Sequence, residues 1–235
     1  MNIEEIKTFI KKAQYYTEYL PIIDAKTLKV LAYEANSRFI LGTKEVSTNK
    51  FFKELHHNSK IFFYLEQRNK KLQIDNCKKE VPLFLHFDSK TVHTKEQRDF
   101  WKTFLTPYRE NIVIGITENG SVKDSYNANI KSFTKWIKKN NFQSSLNSVV
   151  SEGAIFSFKA MQRAKYIKID RKFIKKVQHN DTYKEFIKQF VLFCNSNKQE
   201  VILTNINTDK DLKLAQEMGI NLIQGDHFSK ESFSA

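Results

Sequence analysis

Two charged fragments far apart in the chain hold the residue types that could do chemistry: Tyr33-Glu34-Ala35-Asn36-Ser37-Arg38 and Tyr166-Ile167-Lys168-Ile169-Asp170-Arg171. Near the end, Ile223-Gln224-Gly225 adds a side-chain amide beside a glycine. Glu34 and Arg38 can be an ordinary strand-end salt bridge, or both can face a ligand. Lys168 supplies positive charge of the kind that suits a phosphate. Between the fragments, His86 lies in Leu85-His86-Phe87-Asp88-Ser89. A neutral imidazole binds zinc and other transition metals better than oxygen-loving Mg²⁺; it can equally be a hydrogen-bonded interior residue. Gly115, in Gly115-Ile116-Thr117-Glu118, has no side chain to offer a ligand.

These residues need elements that bring them to one place. Ile3, Ile6, Phe9, Ile10, Ala13 and Tyr16 recur at three- and four-residue intervals, so residues 1–18 read as an N-terminal helix leading into the fold. Ile22-Ile23 and Val30 to Arg38 read as strands joined by a turn over Asp24 to Lys29, hence antiparallel neighbours. Strands then alternate with helices. The strands are Val81–Phe87, Ile112–Thr117, Ile167–Ile169, Val201–Leu203 and Leu222–Gln224. Helical faces appear at Phe51 to Leu65, around Phe133 to Ile137, and at Phe186 to Phe193. Thr94–Gln97 and Thr182–Glu185 fit capping boxes, and a helix over Asp209–Met218 stops at Gly219. Asn140 to Ser151 reads as a mostly polar loop. Strand–helix units with apolar strands imply a parallel sheet buried on both faces, but leave open whether the sheet is doubly wound or a closed barrel.

The 235 residues are long enough for one large α/β domain spanning 1–235, and six Gly with three Pro mark no linker. The initiator Met and N-terminal helix suit a stand-alone domain. Cys77 and Cys194 make neither metal-ligand spacing nor a disulfide framework. No apolar run is long enough to span a bilayer and no signal-peptide core opens the chain, so a reducing, cytoplasmic setting is expected. The net charge of +13 invites a nucleic-acid reading. Its Lys residues are spread over every helix without an Arg-rich arm, which favours a solvated basic surface suited to an acidic partner or an anionic ligand.

Taken in order and spacing, the fragments resemble the EAL-domain family, the bacterial cyclic di-GMP phosphodiesterases. The resemblance runs from about Tyr19 to Lys230. It implies a modified (β/α)8 TIM-like barrel with an antiparallel strand near the start and function at the carboxyl ends of the strands. In the family the glutamate matching Glu34 binds metal, and the arginine matching Arg38 contacts a ligand phosphate. Lys168 matches the lysine that positions the attacking water, and Gln224-Gly225 keeps the terminal pattern. Other positions depart. Leu20 stands for a ligand-contacting Gln, Asn36 for the leucine of Glu-Ala-Leu, His86 for an Asn metal ligand and Gly115 for a glutamate ligand. The paired aspartates fall at Asn147-Ser148 without gaps, or at Ser151-Glu152 with a four-residue shift. Leu203-Thr204-Asn205-Ile206-Asn207-Thr208 has lost both family glutamates. Glu118 survives but lies beyond the ligand position.

Two-metal hydrolysis needs several anionic oxygens to hold two divalent ions close together. The resemblance with these departures implies a catalytically inactive EAL-like signalling domain with no metal or other cofactor. It would act by binding, either as a metal-independent cyclic di-GMP receptor using Glu34, Arg38, Lys168 and Gln224, or as a protein-interaction module in bacterial signalling, motility or surface attachment. The rival is an active metal-dependent phosphodiesterase with a remodelled site, from Glu34, His86 and Glu152. A homodimer is also compatible with the family, although these residues mark no interface.

Overall fold

The computed structural model describes residues 3–55, 57–77, 79–117, 125–147, 161–170 and 180–235. After helix α1 (Ile3–Lys12), strand β1 (Gln14–Asp24) pairs antiparallel along most of its length with β2 (Val30–Leu41). The Asp24 carboxylate ties their turn by accepting from the Lys26 and Thr27 amides at 3.0 and 2.6 Å. The short β3 (Lys44–Val46) folds back on the end of β2 at Gly42, whose φ of 65° suits glycine. Parallel strands follow: β4 (Leu83–Asp88), β5 (Ile112–Thr117), β6 (Gln143–Leu146), β7 (Tyr166–Asp170), β8 (Glu200–Thr204) and β9 (Leu222–Ile223). β9 then pairs antiparallel with β1, Ile23 opposite Ile223, which closes an eight-stranded barrel. The last strand, β10 (Phe233–Ser234), lies on the same edge of β1, with Tyr19 opposite Phe233.

Helices α2 (Thr48–Leu55) and α3 (Ser59–Asp75) connect β3 to β4. α4 (Lys95–Leu105), α5 (Ser125–Lys139), α6 (Asp181–Ser196) and α7 (Asp209–Glu217) lie between later strands. Outward residues of the strands meet them: Leu85, Phe87 and Ile114 pack with Trp101, Leu105 and Phe133, while Ile167, Ile169 and Leu203 pack with Ile187, Val191 and Ala215. The buried Trp101 donates its indole N–H to the Thr91 carbonyl at 2.8 Å. Inside the barrel, Ile22, Ala32, Phe84, Val113, Tyr166, Ile202 and Leu222 form one apolar layer, a residue from each of seven strands.

The closed barrel, its antiparallel opening and the Thr94–Gln97 capping box match the sequence reading. Four local readings are corrected. The N-terminal helix does not run to residue 18 but ends at Lys12, because Tyr15, Tyr16 and Thr17 are strand formers that find partners on β2. The polar stretch from Asn140 contains β6, whose Ser144 and Ser145 are buried between β5 and β7. The cap of α6 is Asn180, accepting from the Thr182 and Tyr183 amides, and not a Thr182 box. The chain also adds β10 after the strand read as the last. Among the described residues no helix is long and apolar enough to cross a membrane.

The Thr94 hydroxyl accepts from the Gln97 amide while the Gln97 side chain accepts from the Thr94 amide, so both ends of the cap depend on Thr94. Replacing Thr94 with Ala is expected to lower stability by about 1 kcal/mol, read as a lower urea midpoint with an unchanged slope.

Candidate functional site

Strand geometry alone places the site. Side chains on a strand alternate faces, so the residue two positions beyond an inward one also faces inward, one layer higher. Moving two residues along from the apolar layer gives Glu34 after Ala32, His86 after Phe84, Gly115 after Val113, Lys168 after Tyr166, Thr204 after Ile202 and Gln224 after Leu222. β1 runs the opposite way, so its matching residue is Leu20, two before Ile22. Leu20, Glu34, His86, Lys168, Thr204 and Gln224 all line one cleft of ≈ 420 Å³ at the carboxyl ends of the parallel strands. That size suits a small-molecule site.

At its floor, Lys168 donates through Nζ to Glu34 Oε1 and to Gln224 Oε1, the latter at 3.3 Å. All three residues are buried. His86 Nε2 lies 3.0 Å from the same Glu34 oxygen, and its Nδ1 lies 3.3 Å from Asn147 Nδ2. The tautomer with hydrogen on Nε2 satisfies both contacts, the ring donating to Glu34 and accepting from the Asn147 amide. Burial alone would push the Glu34 carboxyl up. The Lys168 ammonium and the His86 contact outweigh it and hold the group well below the usual carboxylate range. The buried Gln224 Nε2 has no hydrogen-bond partner among the described residues, which leaves a donor at the cleft wall.

Small residues make the room. Gly115 sits beside His86 in register, and a Cβ there would lie 3.3 Å from Ser145 Oγ and 3.5 Å from His86 Nδ1. The imidazole thus takes space that a side chain at 115 would need. Gly225 is required more strictly: a Cβ would lie 2.2 Å from the Ile206 carbonyl oxygen, so the chain after Gln224 can pass the loop after β8 only as glycine.

Of the four residues singled out from sequence, the structure brings Glu34, Lys168 and Gln224 together. Arg38 stands apart. It follows Glu34 on the same face of β2 but lines an adjoining cleft of ≈ 270 Å³ with Asn36 and Ser37, and among the described residues only His86 borders both clefts. Its guanidinium holds Glu18 on β1 through Nε at 3.0 Å and Nη2 at 2.5 Å, with Glu45 at 3.8 Å. Asn147, from the gap-free placement, lines the cleft; Glu118, Ser148, Ser151 and Glu152 lie outside the described residues. Three acids that the sequence reading passed over also line the cleft: Glu18, Asp170 and Asp226. Glu18 and Asp170 each stand two positions along a strand from a floor residue (Leu20 and Lys168), so alternation could have found them, whereas Asp226 opens the helical turn after β9.

Most of the described donors at the matched positions are engaged within the chain or carry no side chain, while Asp170 and Asp226 also line the cleft. Glu34 is neutralised by Lys168, both His86 nitrogens are committed, Glu18 is held by Arg38 and position 115 has no side chain. Among the described residues, no three His, Cys, Asp or Glu side chains stand close enough to share one ion.

Removing one partner of a buried ion pair leaves a charge without compensation. Lys168→Met is expected to cost about 3–5 kcal/mol of stability, and the double variant Glu34→Gln/Lys168→Met clearly less, both read from denaturant unfolding. Because folding lowers the Glu34 pKa, its contribution is complete above the ordinary glutamate value and is lost as pH falls towards the folded one. Wild-type stability is therefore expected to decline below about pH 4 more steeply than that of Glu34→Gln. Gly225→Ala is expected to cost about 2 kcal/mol or more by forcing the Ile206 loop away, read as a lower melting temperature.

The fold and the cleft can now be set beside known proteins. An EAL domain protein from Listeria monocytogenes EGD-e has a TM-score of 0.76 and 19% identity, over 97% of this chain and 92% of that one. The Bacillus subtilis YkuI protein, solved with substrate c-di-GMP and calcium, gives 0.76 and 16%, over 97% of this chain and 58% of its own. The FimX EAL domain from Pseudomonas aeruginosa, solved with c-di-GMP, gives 0.67 and 17%, over 94% and 90%. At these identities the likeness is one of fold. No curated protein matches the chain. The family model described as the EAL domain matches residues 3–231, nearly the whole sequence, and the chain belongs to the EAL-domain family.

Proposed function

We propose that this chain is a non-catalytic EAL domain that acts by binding, and that its mouth cleft takes cyclic di-GMP without a metal. The observation that carries this reading is the state of Glu34. The carboxylate is held by Lys168 and His86, two donors of its own chain, so its charge is used inside the cleft. Gln224 supports binding, since its buried Nε2 offers a hydrogen bond to an acceptor such as a phosphate or carbonyl oxygen. Asp170 and Asp226 add acceptors on the same wall, matching the N–H edge of a purine base. The structures of the B. subtilis and P. aeruginosa relatives with c-di-GMP make this the first ligand to try.

A second reading, a protein-interaction module without the nucleotide, has its own support. Arg38, the phosphate contact that the family resemblance implies, is engaged by Glu18. On α6, Phe186 and Leu192 are 52% and 56% exposed, the kind of apolar surface that marks contact with another protein.

Calorimetric titration with cyclic di-GMP, with and without Mg²⁺, tests the receptor form. Binding in the micromolar range that is unchanged by Mg²⁺ and lost in Gln224→Ala is expected, with no linear dinucleotide formed in Mg²⁺ or Mn²⁺. Turnover would restore the alternative of an active phosphodiesterase. An absence of heat under every condition would leave the protein-interaction reading.

A further inference from the structure

A second recess lies at the opposite end of the barrel. It is bordered by Lys131, Lys135 and Lys138 of α5, by Gln162 and Arg163 just before β7, and by Asn197 just before β8, and encloses ≈ 730 Å³. α5 ends ahead of β6, and Arg163 and Asn197 each stand three residues ahead of a strand. The recess therefore sits at the amino ends of β6, β7 and β8, whereas Glu34 and Lys168 face the carboxyl ends.

The walls are tied together by buried polar groups. Arg163 Nη1 donates to Thr134 Oγ1 at 3.2 Å, fixing the segment before β7 to α5. Gln199 is buried and donates through Nε2 to the Met161 and Ala164 carbonyls at 2.6 and 2.7 Å, fixing the end of α6 to the same segment. The four cations are thus brought to one concave place by the packing. The described residues bordering the recess include no Asp or Glu, and its three lysines are exposed. Four like charges so placed repel one another, and an anion seated among them relieves that repulsion.

Spacing narrows the class of anion. Lys131, Lys135 and Lys138 are at i, i+4 and i+7, one face of α5, and cover about 10 Å along its axis. A helix carrying carboxylates at the same intervals presents its charges in the same register. Nucleic acid fits less well. Among the described residues no aromatic side chain borders the recess to stack on a base, and four cations over so short a track neutralise few phosphates. We infer that this recess is a docking surface for an acidic helical segment of a partner protein, with Lys131, Lys135, Lys138 and Arg163 as its charge-reading residues. The surface is separate from the mouth cleft, and the inference stands whether or not the cleft binds nucleotide.

The test is fluorescence anisotropy with a labelled alanine-based helical peptide bearing glutamates at i, i+4 and i+7. Its glutamine and lysine counterparts and a single-stranded and a duplex oligonucleotide complete the set of probes. The glutamate peptide is expected to bind and the glutamine peptide not. Lys131→Glu/Lys135→Glu/Lys138→Glu is expected to weaken the glutamate peptide about tenfold or more and to gain affinity for the lysine peptide. Circular dichroism shows whether the variant is folded, and the gain of lysine-peptide binding is a positive signal that a misfolded protein would not give. Arg38→Ala, in the mouth region, should bind the glutamate peptide like wild type. Failure of the glutamate peptide to bind, equal binding of the glutamine peptide, or indifference to the charge reversal would overturn the proposal. Tighter binding of either oligonucleotide through the same lysines would reassign the surface to nucleic acid. Neither result depends on the outcome of the nucleotide titration.

Discussion

β2 and β7 face each other across the barrel, separated by three strands in either direction around the ring, and Glu34 and Lys168 meet in the middle. Burying either charge alone would be costly, and in this interior each charge compensates the other. The pair sets the positions of its neighbours: His86 turns its Nε2 to the glutamate, and Gln224 turns its carbonyl oxygen to the lysine. With those orientations fixed, Asn147 can reach the other imidazole nitrogen and Gln224 is left with its amide nitrogen towards the cleft wall. The floor is one connected network drawn from the ends of five strands, β2, β4, β6, β7 and β9, and its polarity runs outward from a single ion pair.

Substitutions along this floor are mutually consistent in shape as well as in charge. The imidazole on β4 lies beside a glycine on the neighbouring strand, at positions where the family resemblance implies an amide and a glutamate. A bulky ring beside an empty position keeps the layer filled, in the way interior packing favours volume exchange between neighbours. Glu18, Asp170 and Asp226 also line the cleft, and Glu18 is held by Arg38.

Much of this was legible in the residues. The hairpin turn at Asp24, the strand–helix alternation and the Thr94 cap follow from short-range chemistry that the sequence displays directly. Glu34, Lys168 and Gln224 could be named because their fragments keep a recognisable order. What the sequence concealed has physical reasons. Tyr16 sits in a helical rhythm begun by Ile3 and Ile6, and pairing with β2 draws it into a strand. Gln143-Ser144-Ser145-Leu146 lacks the branched apolar side chains of its neighbours, so a buried barrel strand reads as loop. Arg38 read as a salt-bridge partner of Glu34 or as a phosphate contact beside it, because the two lie four residues apart at one strand end. Its true partner, Glu18, lies twenty positions earlier on the antiparallel strand, a proximity that register alone determines.

The arrangement around β1 has a further consequence for how the protein behaves in company. A sheet that ends in a long open strand offers its unpaired amides and carbonyls to any other chain. Here β1 has β2 along one side, while β9 and β10 divide the other between them, at Ile23–Asp24 and Glu18–Tyr19 respectively. The strands left outermost are β3 and β10, three and two residues long. Phe233 of β10 is further fastened by stacking on Tyr19 at 4.4 Å between ring centres. Among the described residues, so short an outer ladder leaves a second molecule little to extend by strand pairing.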